Sequence, residues 1–163
     1  MLTRKLLIQA QSYFKEWSPD VIIVYSGIND CKDKYPLKYL INFLPFSIKK
    51  NEEINSIIYS KLFSINDLNK LLFKKYIDIF CNIFSNSKIY FNEISCSEKI
   101  LKRFPSAKKN QAICNDIIGK NKNIFLIYNN QELNKIKGFC EDGFHLNKVG
   151  HKLVFKNIYK KIL

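Results

Sequence analysis

A chain of 163 residues suits one domain, a single unit over residues 1–163 long enough to bury about two thirds of its unfolded surface. With 47% hydrophobic and 14% aromatic residues it is too apolar to be disordered, and no apolar run reaches the roughly 18 residues a membrane span needs. The formal charge of +13 raises nucleic-acid binding, but the positive residues are mostly lysines scattered among Asn, Ile, Phe and Tyr, with no RNP, helix-turn-helix or zinc-finger pattern, so no specific nucleic-acid partner is expected.

Residues 3–17 place Leu6, Leu7, Ala10, Phe14 and Trp17 on one stripe of an amphipathic helix. The stretch has no small-residue cleavage site, so it reads as a helix rather than a signal peptide, and a cytoplasmic location is the expectation. Ser18-Pro19-Asp20 stops it. Val21-Ile22-Ile23-Val24-Tyr25 is a continuous, mostly β-branched run, the mark of a strand buried on both faces of a parallel sheet. It runs into Ser26-Gly27-Ile28-Asn29-Asp30, a loop at the strand end, where parallel α/β sheets bind ligands. Residues 31–50, with Pro36 and Pro45 among aromatics, read as an irregular insertion flanking that loop.

Residues 52–63 predict a helix with Ile54, Ile57, Ile58 and Leu62 inward. Ser64-x-x-Asp67 is a capping box for the next helix, whose stripe is Leu68, Leu71, Leu72, Tyr76, Ile79, Phe80, Ile83 and Phe84. Residues 88–94 predict a second strand. A helical region over residues 97–119 follows, broken at Phe104-Pro105 and C-capped by Gly119. Residues 123–128 predict the third strand and residues 131–137 a short helix. The last helix begins at Asn147, with Val149, Leu153, Val154, Ile158 and Ile162 inward. This alternation predicts an α/β fold with a parallel sheet, right-handed crossovers and helices on both faces.

Two stretches carry chemistry. Asp142 and His145 lie three residues apart across a tight turn, close enough for the carboxylate to accept the Nδ1 proton and leave Nε2 as a base. That is two thirds of a nucleophile-activating triad, although Asp142-Gly143 is also ordinary turn chemistry. The other is Gly27-Ile28-Asn29-Asp30. The five cysteines (Cys31, Cys81, Cys96, Cys114, Cys140) are odd in number and form no C-x-x-C pair, which disfavours a disulfide framework and a zinc site. They read as core or loop thiols, and Cys140, Cys31 and His145 lack the spacing of a metal corner. His151, in the first turn of the last helix, reads as a solvated or capping residue.

Together, Gly27-x-Asn29-Asp30 and Asp142-x-x-His145 resemble blocks III (G-x-N-D) and V (D-x-x-H) of the SGNH, or GDSL-type, hydrolase family. They come in the family's order, each at a strand-end loop, with the block V helix following directly. The resemblance covers essentially the whole chain. It implies a three-layer α/β/α fold of flavodoxin-like type, and hydrolysis of an acyl ester by a Ser-His-Asp mechanism without cofactor or metal. Carried over, His145 is the general base, Asp142 its orienting carboxylate, and Asn29 a side-chain donor to the oxyanion hole, where such a donor is worth about 3 kcal/mol. Gly27 lets its loop pack close to the site and Asp30 ties the loop down. The implied substrates are small acyl esters or O-acetylated sugars.

The departures are as informative. The family's block I Gly-Asp-Ser, which holds the nucleophile, and the block II Gly are absent. So are the first two strands of the family's sheet, which leaves about three parallel strands. The expectation is the C-terminal portion of such a hydrolase, inactive alone for want of its serine. Ser26 and Cys31 are the local candidates to replace that serine, each better explained as a strand-end polar residue and a loop thiol respectively. The run from Val21 to Tyr25 is then an open apolar edge, available to a complementing N-terminal chain or to a second copy. The rival readings are a non-catalytic module that docks a partner through that edge and a basic nucleic-acid-binding domain.

Overall fold

The computed structural model describes residues 7–31, 69–104 and 106–163, with the side chains of residues 13–15, 29 and 30 left aside. The helix predicted for residues 52–63, the capping box Ser64-x-x-Asp67 and the insertion beyond Cys31 lie outside the described residues.

The centre of the molecule is β2 (Lys88–Asn92), flanked in parallel by β1 (Val21–Val24) and β3 (Ile124–Ile127). The described residues thus form a mixed α/β fold on a three-stranded parallel sheet of order β1-β2-β3, with helices in the crossovers. Strand alternation sends Ile22, Val24, Ile89, Phe91, Ile124 and Leu126 to one face, where they form the main core. Among the described residues that face is covered by the N-terminal helix, α2 (Lys70–Ile83) and α4 (Ala107–Gly119). Outside that core α6 (Lys148–Ile162) meets β3, its Val154 lying in a separate cluster with Leu133 and Leu146, and its Asn157 reaches Asn129 at 2.8 Å, just beyond the end of that strand. The short helices α1 (Ile28–Cys31), α3 (Glu98–Arg103) and α5 (Asn130–Lys135) lie beyond the carboxyl ends of β1, β2 and β3. No described helix is long and apolar enough to cross a membrane.

Several expectations are corrected. β1 is not buried on both faces, because Val21 is 40% and Ile23 49% exposed while Val24 is buried. A continuous apolar run says nothing about whether a second layer covers it. The strand also stops at Val24, and the segment Gly27 to Asp30 is not all loop: Gly27, at φ +111, turns directly into α1. Cys31, expected in a loop, is the last residue of α1 and sits fully buried in the core. Its carbonyl accepts the Asn110 amide at 3.1 Å.

The N-terminal helix changes pitch, from α over residues 7–9 to a π turn (Ala10–Phe14) and a 3-10 turn (Lys15–Trp17), and this rotation leaves Trp17 exposed. The described start of α2 is capped by Asn69, whose side chain accepts the Leu72 N–H at 2.9 Å. Its buried face is Phe73, Ile77, Phe80, Cys81 and Phe84, whereas Leu71 is 82% exposed. Apolar residues lie almost all round this helix, so their spacing could not fix its phase. Gly119 is the last residue of α4 rather than its cap, which is Lys120 in right-handed conformation. In α6, Val149 and Ile162 are exposed while Val154 is buried. β2 ends at Asn92 rather than residue 94.

The rotated face of α2 makes a direct prediction. Phe73→Ala lowers the unfolding free energy by about 3–5 kcal/mol through the cavity it leaves, whereas Leu71→Ala changes it by less than about 0.5 kcal/mol. Chemical denaturation of the two variants checks this, and the reverse order would restore the expected stripe.

Candidate active site

The turn at residues 140–147 is built by its own side chains. Phe139 and Leu146 form an antiparallel bridge, and Cys140 N–H donates to the His145 carbonyl at 2.8 Å, closing a short hairpin. Gly143 N–H returns to the Cys140 carbonyl at 2.9 Å. Gly143 takes φ +74, and a Cβ there would sit 2.8 Å from Ile100 Cγ1 and collide with Ser97 Oγ, so the position requires glycine on both counts.

Within the turn Asp142 is committed to its neighbours. Its Oδ1 accepts the backbone N–H of Phe144 at 2.9 Å and of His145 at 3.0 Å, an Asx-type turn. Its Oδ2 makes a short contact with Nδ1 of His145, the ring nitrogen that then carries the proton. The His145 hydrogen bond, with the two backbone N–H groups behind it, holds the Asp142 carboxyl below its ordinary value, at about 2. Nε2 is left free for chemistry, on a ring whose side chain is 82% exposed.

Two anchors place this turn on the fold. Asn147 N–H donates to the Gly138 carbonyl at 3.0 Å, and its Nδ2 donates to the carbonyls of Lys137 (2.7 Å) and Phe139 (3.1 Å). Its Oδ1 caps α6 by accepting from Val149 and Gly150, each at 3.0 Å. One asparagine therefore ties the hairpin to the helix. On the other flank the Gly143 carbonyl accepts the Ser97 N–H at 3.0 Å, and the Phe144 ring packs 6.3 Å from that of Phe104.

The segment from Gly27 comes to the same place. Gly27 is buried with its Cα side against Ile94, where a Cβ would approach Cδ1 to 2.6 Å. Ile28 packs on the small cluster of Cys96, Ile100, Phe104 and Ala107, and so does Phe144. The neighbours of Asn29 and of Asp142 and His145 thus share one patch of core; the side chains of Asn29 and Asp30 are outside the description. Ser26 is partly buried between β1 and Gly27. His151 is exposed, and its N–H is the first-turn donor to the Asn147 carbonyl. No cysteine forms a disulfide, and Cys140 is exposed with its Sγ 3.4 Å from the Leu146 carbonyl. Among the described residues no group of His, Cys, Asp and Glu is arranged to hold a metal ion.

Sequence reading missed Ser97 and the clamp made by Asn147. Asn147 is legible as a helix cap, because Asn before a helical stripe is a start signal. Its bonds to Lys137 and Phe139 depend on the hairpin closing and leave no local signature. No family model matches this chain, and no curated protein matches it.

The pairing predicts a titration. A carboxyl lowered from 3.8 to about 2 contributes order to the turn that is fully present above about pH 4 and is lost as the pH falls toward about 2. Carbon-detected NMR on the Asp142 carboxyl gives a midpoint near 2, and His145→Ala moves it up toward the ordinary value. A wild-type midpoint near 3.8 would rule the contact out in solution.

Proposed function

We propose that the chain is the C-terminal portion of an SGNH, or GDSL-type, hydrolase, and that it serves acyl ester hydrolysis by a Ser-His-Asp mechanism. The observation that carries this reading is His145 Nδ1 seated on the Asp142 carboxylate, in a turn at the carboxyl edge of a parallel sheet, directly ahead of the last helix. In this reading Asp142 fixes the imidazole so that Nε2 takes the proton of a serine hydroxyl as that oxygen attacks the ester carbonyl. Asp142 also stabilises the imidazolium that forms. His145 then gives the proton to the leaving alcohol, and a water molecule, activated by the same nitrogen, releases the acid from the acyl-enzyme. Asn29 donates to the developing oxyanion. The substrate is a small acyl ester, such as an O-acetylated sugar.

In this reading the attacking serine is supplied from outside this chain or has been lost. Cys31 is enclosed by apolar side chains, the setting of an inert thiol, and Ser26 has only its place before Gly27 to recommend it.

The expected outcome is that the 163-residue chain does not turn over p-nitrophenyl acetate by this route. Fused in frame to an upstream segment containing Gly-Asp-Ser it does, and His145→Ala then lowers the rate by on the order of 10⁴-fold. A fused protein whose rate ignores His145→Ala would sink the assignment.

A second reading is favoured by one observation: β1 lies at the edge of the described sheet with Val21 and Ile23 exposed. Such an edge pairs readily with another strand, and a non-catalytic module would dock a partner or a second copy there. Sizing chromatography across a concentration series then shows self-association that Ile23→Lys abolishes. A monomer at every concentration removes the second-copy form of this reading.

A further inference from the structure

A cleft of about 730 Å³ opens beyond the carboxyl ends of β2 and β3, between α3 and α5, within the roughly 300–1,000 Å³ typical of small-molecule sites and at the edge where parallel sheets bind ligands. We propose that this cleft is a binding site for a saccharide that carries free amino groups, and the inference stands whatever reaction the Asp142–His145 turn performs.

The first argument is rigidity. Glu93 Oε2 accepts the backbone N–H groups of Asn129 and Asn130, each at 2.8 Å, which fixes that carboxylate against the start of α5. The two walls are cross-linked at Cys96: its N–H donates to Asn130 Oδ1 and its carbonyl accepts from Asn134 Nδ2, both at 3.2 Å. Beneath lies a buried polar ladder, in which Asn157 Nδ2 donates to Asn129 Oδ1 at 2.8 Å and Asn129 Nδ2 to Asn92 Oδ1 at 3.0 Å. A satisfied polar network of this kind holds its surroundings in one arrangement, so the cleft is formed before a ligand arrives.

The second argument is the chemistry of the lining. The chain carries 27 basic against 14 acidic residues, yet the cleft brings three carboxylates, Glu93, Glu98 and Glu132, against the single ammonium of Lys135. Anionic ligands are repelled there and cationic ones favoured. Carboxylates accept hydrogen bonds in several directions, which suits hydroxyl and ammonium donors. Tyr128, 70% exposed, and Leu101 also line the cleft, beside the amides of Gln131 and Asn134. An aromatic face beside acceptors takes the C–H face of a pyranose ring and attracts an adjacent ammonium. A linear polyamine would use the carboxylates and, through an ammonium, the ring at most as a point contact, whereas an amino sugar also lays its C–H face on the ring.

The test is titration calorimetry of the full chain with the fully deacetylated glucosamine trimer, at a pH where its amines are charged. The expected result is saturable binding that weakens as salt is raised. Glu98→Gln and Tyr128→Ala each weaken it about fivefold, with melting temperatures unchanged because both side chains are exposed. The N-acetylated trimer, whose amines are capped, binds at least about fivefold more weakly than the free amine. Three results overturn the proposal: no binding of the deacetylated trimer, binding that neither variant moves, or spermidine binding as tightly as the trimer with no loss in Tyr128→Ala.

Discussion

A backbone leaving the buried end of a parallel strand must find partners for its polar groups away from water, and residues 92–97 meet that constraint by bonding to nearly every element of the carboxyl edge. Asn92 donates to the Val24 carbonyl of β1 at 3.2 Å and accepts from Asn129 beyond β3. Glu93 holds the first N–H groups of α5. Ile94 exchanges bonds with α4, its N–H donating to Asn115 at 2.8 Å and its carbonyl accepting from Gln111 and Asn115. Cys96 is bonded to Asn130 and Asn134, and Ser97 to the Gly143 carbonyl. One hexapeptide sets the positions of β1, β3, α4, α5 and the Asp142–His145 turn relative to one another.

The candidate catalytic pair illustrates how local and tertiary forces divide the work. The bond between Asp142 and His145 is made within four residues and is oriented by the backbone N–H groups of Phe144 and His145. Such a unit forms wherever the turn forms. Its location is another matter, because Ser97, the cluster around Ile100 and Phe104, and the hairpin clamp of Asn147 carry it to the patch that also receives Ile28. An exposed imidazole held by an exposed carboxylate has its orientation fixed and its Nε2 accessible, which is what a base serving a nucleophile from elsewhere requires.

The cleft between α3 and α5 shares the hub at residues 93–98 with that turn, so one segment supports both features. Its walls are short helices that have little stability of their own. They are held by side-chain bonds to backbone, chiefly from asparagine, whose short amide can both donate and accept. The asparagines at positions 92, 129, 130, 134 and 147 are structural fasteners.

Strand and helix existence was legible because it is written in short-range pattern: a β-branched run for β1, short apolar and aromatic runs for β2 and β3, a break at Phe104-Pro105 between α3 and α4, and an asparagine cap for α6. The Asp142–His145 contact was legible for the same reason, since a three-residue spacing across an Asp-Gly turn is itself local geometry. What the sequence alone did not decide was anything that depends on who lies opposite. The phase of α2, the bare face of β1, the burial of Cys31 and the cleft at Glu93 all follow from long-range packing. Apolar residues spaced round a helix or along a strand are equally content with several partners. Only closure of the sheet on β2 selects among them, because burial stabilises the side chains it covers and leaves the rest to water.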